Sequence, residues 1–216
     1  MPAMSRDLLT RHTGRDRLAR HRHSQPYAAL VLQGGYVEAG DSGRFEVEAG
    51  QVILHGPFES HQNVFTTRGA VVLNLDLHCE TGALARVDDP DLIVRLAEHD
   101  RRAACQALAE QIVLQTRRCA DWPDQLGLRI IQDPDVDLGA WAREAGLAPP
   151  SVSRGFFKAY GVTPKRFRAE QRALRAVRAL REWRGRGAGL AAELGFTDQA
   201  HMSKAIKALQ AGTPPV

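Results

Sequence analysis

The sequence predicts an α+β protein with a β-rich N-terminal domain, linking helices and an all-α C-terminal domain. Residues 27–78 contain short apolar or alternating runs separated by glycine-rich turn signals, the pattern of an antiparallel barrel or sandwich. After residue 88 the apolar residues recur at helical spacing, and from residue 134 the chain becomes basic. We therefore expect an N-terminal domain at residues 1–88, linking and dimerisation helices at residues 89–133 and a C-terminal domain at residues 134–216.

The composition is that of an ordinary globular protein, with 44% hydrophobic and 25% charged residues. No apolar run is long enough to cross a bilayer, so we expect no membrane partner. Residues 1–23 are basic and lack the apolar segment of a secretory signal. The three cysteines are too few and too scattered for a disulfide framework, so a cytoplasmic protein with reduced thiols is expected.

Charge is distributed unevenly along the chain. Residues 134–216 carry 14 Lys and Arg against 7 Asp and Glu, whereas residues 1–133 carry 15 against 18. The C-terminal part therefore has a net charge of +7 and the remainder a net charge of −3. This division favours two domains, one of them suited to a polyanionic partner. Composition alone leaves open that the arginines only solvate helix surfaces.

The β-rich region is predicted to be antiparallel. The segment "VVLNLDLHC" alternates in its second half, with Leu73, Leu75 and Leu77 on one face of a strand. Signals such as "QGG", "AGDSG" and "HGP" mark turns at the close spacing of a sandwich or barrel. An antiparallel sandwich without any binding site is the alternative for this region.

Two helices are predicted within residues 89–119. Ala104, Leu108 and Ile112 would share one helical face. These helices either pack on the N-terminal domain or pair with a second copy of the chain, and we expect a homodimer. The following stretch, residues 120–137, contains prolines and acidic residues and is predicted to be a linker.

The C-terminal domain is predicted to contain two helix-turn-helix units joined by a long helix. Asp137 can cap a first helix, "LGAWAREAG", which Gly146 ends, and "PPSVSRGFFKAYG" follows it. The joining helix is "TPKRFRAEQRALRAVRALREW". "LAAELG" and "DQAHMSKAIKALQ" then repeat the pattern, with Thr197 as the cap of the last helix. Ala142–Gly146 align with Ala191–Gly195, which indicates an internal repeat.

These motifs resemble the DNA-binding domain of the AraC-type transcription regulators. The matching segments are "AWAREAGL" and "SRGFFKAYGVTP" in the first unit, and "LAAELGF", "TDQAHMSKAIK" and the closing "GTP" in the second. The resemblance implies that two recognition helices enter successive major grooves on one face of double-stranded DNA. It also implies a regulator with DNA as its partner and no catalytic residues.

We expect the DNA contacts to come from polar side chains on the second helix of each unit. Arginine can read guanine with two hydrogen bonds, whereas lysine acts more as a point charge toward phosphates. Serine and glutamine early on these helices lie where base edges are reached. For any single residue, a plain surface role is the alternative. The predicted DNA-binding residues are Ser151, Ser153, Arg154, Lys158, Thr197, Gln199, His201, Lys204 and Lys207.

The segment "HRH" at residues 21–23 suggests a metal site. In an extended strand His21 and His23 point the same way, and His61 from a neighbouring strand would add a third imidazole. The expected ion is one divalent transition metal: zinc, iron, manganese or nickel. The alternative is that the histidine pair belongs to a basic N-terminal stretch and binds nothing.

This region resembles the cupin barrels, because "HRH" fits their first motif and Gly50 with His61 has the spacing of the second. The resemblance implies a cupin-like β-barrel that acts as a sensory domain ahead of the DNA-binding domain. Cupin metal sites usually add a glutamate shortly after the histidine pair, a place that falls here at Tyr27 or Ala28. A metal-dependent cupin enzyme with a helical appendage is the second function class that the resemblance leaves open.

The barrel interior can hold a small effector if no metal binds, since barrel mouths are common ligand sites. Tyr27, His61 and Phe65 are the predicted effector-binding residues. The predicted function is therefore a sequence-specific, DNA-binding regulator of transcription whose N-terminal domain senses a small effector or a metal. The effector would favour one arrangement of the DNA-binding units over another.

Overall fold

The structure, a computed structural model, describes residues 8–116 and 120–211. These residues form two compact units, of which the second contains residues 20–22 and 120–211 and the first contains the rest. Strands dominate the first unit and helices the second, which confirms the predicted α+β class. The closing "GTP" lies outside the described residues.

Eight strands of the described residues form one antiparallel sheet. They are β1 (Leu9–His12), β2 (Arg17–Arg22), β3 (Tyr27–Gly40), β4 (Gly43–Glu48), β5 (Gln51–His55), β6 (Ser60–Leu75), β7 (Ala83–Arg86) and β8 (Val113–Leu114). The order is β1-β6-β3-β5-β7-β8, with β2 also paired to β6 and β4 also paired to β3. Strands β3 and β6 therefore organise the sheet, since each has three neighbours.

Strands β3 and β6 pair along most of their length, residues 28–40 against residues 61–75. The register shifts twice between residues 31 and 36, and such bulges bend a strand. Gly34 lies in this bend with a φ of 69°. A β-carbon at Gly34 would lie 2.0 Å from the carbonyl oxygen of Gly69 on the neighbouring strand. The bend therefore requires glycine for both its backbone angle and its close approach.

Two helices, α1 (Pro90–His99) and α2 (Arg101–Gln111), pack on one face of the sheet. Asp89 caps the first by accepting the Leu92 N–H at 2.8 Å, and Asp100 caps the second. The apolar residues of both helices belong to one core with sheet residues Ala28, Leu30, Val52, Leu54, Leu73 and Leu75. Of the two predicted alternatives for these helices, the structure thus shows packing on the N-terminal sheet.

The opposite face of the sheet buries a second core. Its side chains come from β3, β4, β5, β6 and β7, and include Tyr36, Ile53 and Phe65. Because side chains alternate along a strand, residues two positions away share this face. A set of buried polar residues therefore lies on the face of the second core: Glu38, His55, His61 and Asn63.

The second unit is helical. Its described helices are α3 (Trp122–Gln132), α4 (Leu138–Glu144), α5 (Pro149–Tyr160), α6 (Pro164–Leu180), α7 (Gly187–Glu193) and α8 (Gln199–Ala211). The carboxylate of Asp137 accepts the Gly139 and Ala140 amides, which confirms it as the cap of α4. No helix in the described part of the chain is long and apolar enough to cross a membrane.

The prediction of a linker over residues 120–137 is wrong, because α3 occupies most of that stretch. Pro123 suits the first turn of a helix, where an amide N–H has no intrahelical partner. Leu126 and Ile130, four residues apart, are completely buried. The segment predicted to link the domains, residues 89–133, is therefore divided between the two units.

Helix α6 contributes to two cores of the second unit. At its beginning Phe167 meets Phe156 of α5 at 5.4 Å between ring centroids, and Phe156 stacks on Tyr160 at 4.5 Å. The Tyr160 hydroxyl donates to Asp124 of α3 at 2.9 Å. Near its end α6 joins α7 and α8 in a core of Ala176, Leu190, Ala191, Phe196, Met202 and Ile206. The joining helix thus supports both helix-turn-helix units.

Replacing Gly34 by alanine should destabilise the protein much more than replacing Gly50. Both glycines have positive φ, 69° and 82°, but nothing lies within 4 Å of a β-carbon at Gly50. Gly50→Ala should therefore cost only the left-handed backbone term, about 1–2 kcal/mol. Gly34→Ala adds the clash with Gly69 and should cost at least twice as much in denaturant unfolding. Equal losses would contradict the close strand approach.

Candidate functional site

The turns of the two helix-turn-helix units have the same backbone geometry. Gly146 follows α4 and Gly195 follows α7, with φ of 66° and 70°. The amide after each glycine donates to the carbonyl five residues earlier, at 2.9 Å in the first unit and 2.8 Å in the second. The internal repeat predicted from the sequence is therefore a structural repeat, and α5 and α8 hold equivalent positions in it.

Helix α5 has one apolar and one polar face. Its buried residues recur every four positions: Val152, Phe156 and Tyr160. Ser151, Arg154 and Lys158 are exposed and lie three and four residues apart, so they share the other face. Ser153 is only partly exposed. The structure thus places three predicted DNA-binding residues of α5 together on a polar surface.

Helix α8 is capped by Asp198, whose Oδ1 accepts the His201 N–H at 2.7 Å. The prediction that Thr197 caps this helix is wrong by one position. Asp198 directly precedes the first helical residue, and its carboxylate is a good acceptor for the amides of a first turn. Thr197 is exposed beside the cap.

The exposed face of α8 is basic. Lys204 and Lys207 lie three residues apart, and His201 lies three residues before Lys204. All three side chains are exposed, as is Gln199 at the start of the helix. The His201 ring meets Phe196 edge-on at 5.4 Å, so packing holds the imidazole in place. The predicted residues of α8 therefore form a second polar surface.

Three arginines of α6 bind the backbone of residues 132–136, where α3 ends and the chain leads into α4. They donate to carbonyl oxygens at 2.7–3.2 Å: Arg175 to Gln132, Arg172 to Pro134 and Arg168 to Val136. Gln132 is the last residue of α3, and the last carbonyls of a helix have no intrahelical partner, so the Arg175 bond satisfies an acceptor that the helix leaves open. These arginines therefore stabilise the fold of the unit, although their charge also adds to its positive field.

Histidines and one carboxylate gather on the second core face of the sheet. The His61 ring lies 5.5 Å from His23 and 4.3 Å from His55, measured between centroids. Of the predicted metal set, His23 and His61 belong to the first unit, whereas His21 belongs to the second. The ligand atoms of Glu38, His55 and His61, all of the first unit, lie within 4.8 Å of one another. Both sets contain donor types that divalent transition metals prefer.

A short loop, residues 56–59, brings the end of β5 close to the start of β6. The buried carboxylate of Glu59 accepts the Gly56 N–H at 3.0 Å. Phe58 has a φ of 63°, which is uncommon for a residue with a side chain, and its N–H donates to the His23 carbonyl at 2.9 Å. These bonds fix the loop and thereby the separation of the histidines at its two ends.

The structure brings two of the three predicted effector-binding residues together. The Tyr27 hydroxyl lies 3.4 Å from Nε2 of His61, and the Tyr27 ring stacks on His55 at 4.2 Å. Phe65 shares the strand face of His61 but stacks on His12 at 4.1 Å. All three residues are almost completely buried, so any ligand they bind would be enclosed.

Residues 141–215 match a family model described as a helix-turn-helix domain. The chain carries an AraC-type helix-turn-helix domain. The match starts in α4 and includes α8, so it spans both units of the structural repeat. It confirms the resemblance found in the sequence. Domains of this type bind DNA through a recognition helix, which supports the predicted DNA-binding function over the enzymatic alternative.

Comparison with solved structures gives weak matches. ToxT from Vibrio cholerae is 10% identical, with a TM-score of 0.42, over 95% of this chain and 94% of that chain. The AraC-like transcriptional activator CuxR is 11% identical, with a TM-score of 0.31, over 75% and 68%. The oxalate decarboxylase of Bacillus subtilis is 11% identical, with a TM-score of 0.28, over 67% and 29%. Comparison with curated protein sequences gives no match.

The AraC-type domain exposes an aromatic residue that the sequence analysis overlooked. Phe157 of α5 is 55% exposed. It lies three residues after Arg154 in the helix and therefore near Arg154 on the exposed face. Adjacent residues of a helix point in different directions, so Phe156 and Phe157 cannot both face the core. The two adjacent phenylalanines in the sequence could therefore have indicated that one of them is exposed. An aromatic ring in this position can contact a thymine methyl group in the major groove.

The first unit of this chain also contains a carboxylate that sequence reasoning missed. The resemblance to cupins placed the expected glutamate at Tyr27 or Ala28, but the structure supplies Glu38 from later in β3. Glu38 is 2% exposed, and its Oε2 lies 3.2 Å from Nδ1 of His61. Residues two positions apart in a strand share one face, so a buried Tyr36 places Glu38 on the same buried face. This alternation in the sequence could have revealed Glu38.

The Cys79 thiol should react slowly with alkylating reagents below pH 10. Burial, and next the charge of Glu59, raise the pKa of Cys79 to about 11, and its thiol donates to the His55 carbonyl at 3.0 Å. Because the thiolate is the reactive form, the alkylation rate should still be rising at pH 10. Site-resolved mass spectrometry can follow it, with glutathione as the unburied control. A plateau near pH 9 would contradict this environment.

Proposed function

We propose that this protein is a sequence-specific regulator of transcription that binds double-stranded DNA through α5 and α8 and responds to a small effector held by its first unit. One observation carries the proposal: two helices with an exposed polar and basic face, α5 and α8, each follow a glycine turn, and the two turns have the same geometry. A regulator of this kind with reduced thiols is expected to act in the cytoplasm.

The two exposed faces have the side chains that DNA recognition needs. The major groove admits an α-helix, and side chains on its exposed face then reach base edges. Arg154 is the candidate for guanine, because its guanidinium can donate two parallel hydrogen bonds. Lys158, Lys204 and Lys207 are candidates for phosphates, which position a protein on DNA without reading its sequence. Ser151 and Gln199 lie near the beginnings of their helices, where base contacts are made.

The first unit is the candidate sensor. Most of its two cores is apolar, yet Tyr27 and His61 lie on the second core face with several other polar side chains. Pockets with a few convergent polar groups in an apolar wall are typical of small-molecule sites. An effector enclosed there can act on DNA binding only if it binds one conformation of the protein more tightly than another.

A homodimer is part of the proposal, and β8 is the segment that supports it. In the described residues β8 pairs only with β7, at one end of the sheet. Val113 and Leu114 are 57% and 67% exposed, although both are apolar. Exposed apolar edge strands readily pair with another chain. Pairing here would join two regulators and raise their affinity for paired half-sites.

Removing the cations of the recognition faces should weaken DNA binding and its salt dependence. The double variant Arg154→Ala, Lys204→Ala would be compared with the wild type on a random-sequence 30-base-pair duplex, by fluorescence anisotropy at several salt concentrations. Each lost phosphate contact should reduce the slope of log affinity against log salt by about one. Affinity should therefore fall most at low salt.

The matched control is a double variant with the same loss of charge elsewhere, Arg102→Ala with Arg129→Ala. Both arginines are exposed on helices outside the recognition faces. This control should keep the wild-type slope. Equal slopes for the recognition variant and the wild type would contradict the assignment of α5 and α8, whereas a loss in both double variants would show only a general effect of charge.

Introducing a lysine on β8 should dissociate the dimer. Leu114→Lys places a charge on an exposed edge strand, which natural proteins use to prevent pairing. The variant should move from dimer to monomer mass in light scattering after size exclusion. Leu128→Lys changes another exposed apolar residue, on α3, and should leave the mass unchanged. A wild-type monomer, or an unaffected Leu114→Lys dimer, would contradict an interface at β8.

A further inference from the structure

Three buried side chains of the first unit converge from different strands. Glu38 belongs to β3, His55 ends β5 and His61 lies near the start of β6. Their exposed fractions are 2%, 5% and 4%. The pairing of β3 with β6 sets Glu38 opposite Asn63, two residues from His61 on the same face. The pairing of β3 with β5 sets His55 opposite Tyr27. The backbone therefore fixes all three positions.

The distances within this cluster suit a single metal ion. Oε2 of Glu38 lies 3.2 Å from Nδ1 of His61 and 3.7 Å from Nε2 of His55. Nitrogen and oxygen ligands of zinc lie about 2.0–2.2 Å from the ion, so two ligands at a tetrahedral angle are roughly 3.4 Å apart. The observed separations lie on either side of that value. Small side-chain adjustments would place all three atoms around one ion.

The charge of the cluster also favours a cation. A buried carboxylate is costly unless a positive charge or several hydrogen bonds compensate it. Asn63 contributes to this compensation by donating a hydrogen bond to Oε2 of Glu38 at 3.0 Å. A divalent ion would neutralise the carboxylate and would use both imidazoles in their neutral form, which is the form that binds metals.

The neighbours of the cluster orient its ligands. The Tyr27 ring stacks on His55 with an interplanar angle of 14°, which restrains that imidazole. The Tyr27 hydroxyl lies 3.4 Å from Nε2 of His61, so Nε2 can keep its proton and donate to the hydroxyl while Nδ1 binds the ion. Hydrogen bonds from the second nitrogen commonly set the tautomer of a metal-binding histidine. The hydrogen bond from Asn63 restrains the carboxylate of Glu38 in a similar way.

We propose that the first unit binds one divalent transition-metal ion, of the zinc and iron group, through Glu38, His55 and His61. Two imidazoles and one carboxylate are a known donor set for such ions, and they leave coordination positions open for a small ligand. This set differs from the one predicted from the sequence, which shares His61 but takes His21 and His23. The role of the ion in sensing rests on the proposed function, but its binding does not.

Metal content of the full-length protein tests the proposal. Protein stripped with a chelator and dialysed against Zn²⁺ should hold about one ion per chain by mass spectrometry of the metal. Even outer-sphere partners change metal affinity by about 10–100-fold, so Glu38→Gln and His55→Gln should weaken Zn²⁺ binding by at least that factor. His12→Gln, a histidine of the same sheet, should not. Nor should the double variant His21→Gln, His23→Gln.

No bound Zn²⁺ in the wild type would overturn the proposal. So would loss of Zn²⁺ from the double variant His21→Gln, His23→Gln together with its retention in Glu38→Gln and His55→Gln. X-ray absorption of the Zn²⁺-loaded wild type covers the case in which the buried variants fail to fold. Scattering from two imidazoles supports the proposed site. Scattering from three imidazoles supports the set of His21, His23 and His61 and overturns the proposal.

The DNA-binding assay separates this proposal from the proposed function. The wild type would be measured on the same 30-base-pair duplex in the stripped and the Zn²⁺-loaded state. Failure to bind DNA in both states, with one Zn²⁺ retained through Glu38 and His55, would contradict the function and support the metal site. DNA binding by a protein that takes up no Zn²⁺ would support the function and overturn the site.

Discussion

The pairing of β3 with β6 determines where the polar groups of the first unit lie. One register sets Glu38 opposite Asn63 and Gly40 opposite His61, and so places a carboxylate beside an imidazole. A shift by one residue would turn these side chains to the other face of the sheet, which α1 and α2 cover. The bend at Gly34 shifts the register without ending the pairing, which continues to Gly40 opposite His61. The candidate sensor thus depends on backbone pairing before any side-chain chemistry.

The two faces of that sheet have different tasks. The face under α1 and α2 is filled by apolar side chains, whose burial stabilises the unit. The other face combines apolar side chains with the buried Glu38, His55 and His61, which burial alone would destabilise. Such groups are retained where neighbours or a ligand compensate their charge, and buried clusters of titratable groups are common at functional sites. Strand alternation therefore separates the apolar residues that stabilise the unit from the polar residues proposed to bind a ligand.

In the helical unit, position decides what a basic side chain does. Arg168 and Arg172 of α6 bind backbone carbonyls of the segment between α3 and α4, whereas Arg154 of α5 is exposed. The joining helix packs against α5 through Phe167 and Phe156, and against α7 and α8 near its end. The basic charge of this segment therefore has a structural part and a part that faces outward, and only the second is suited to DNA.

Sequence alone determined the fold class, the repeat of the helix-turn-helix unit and the cap at Asp137, because each depends on residues close together in the chain. The exposed faces of α5 and α8 also followed from helical spacing. The helix α3 was not predicted, since its proline and acidic residues also fit a loop and its burial depends on partners such as Tyr160, 36 residues away. Glu38 was missed because only strand pairing brings it to His55 and His61. Local periodicity can be read from a sequence, but contacts between distant strands and helices are decided by the tertiary structure, which alone sets their register.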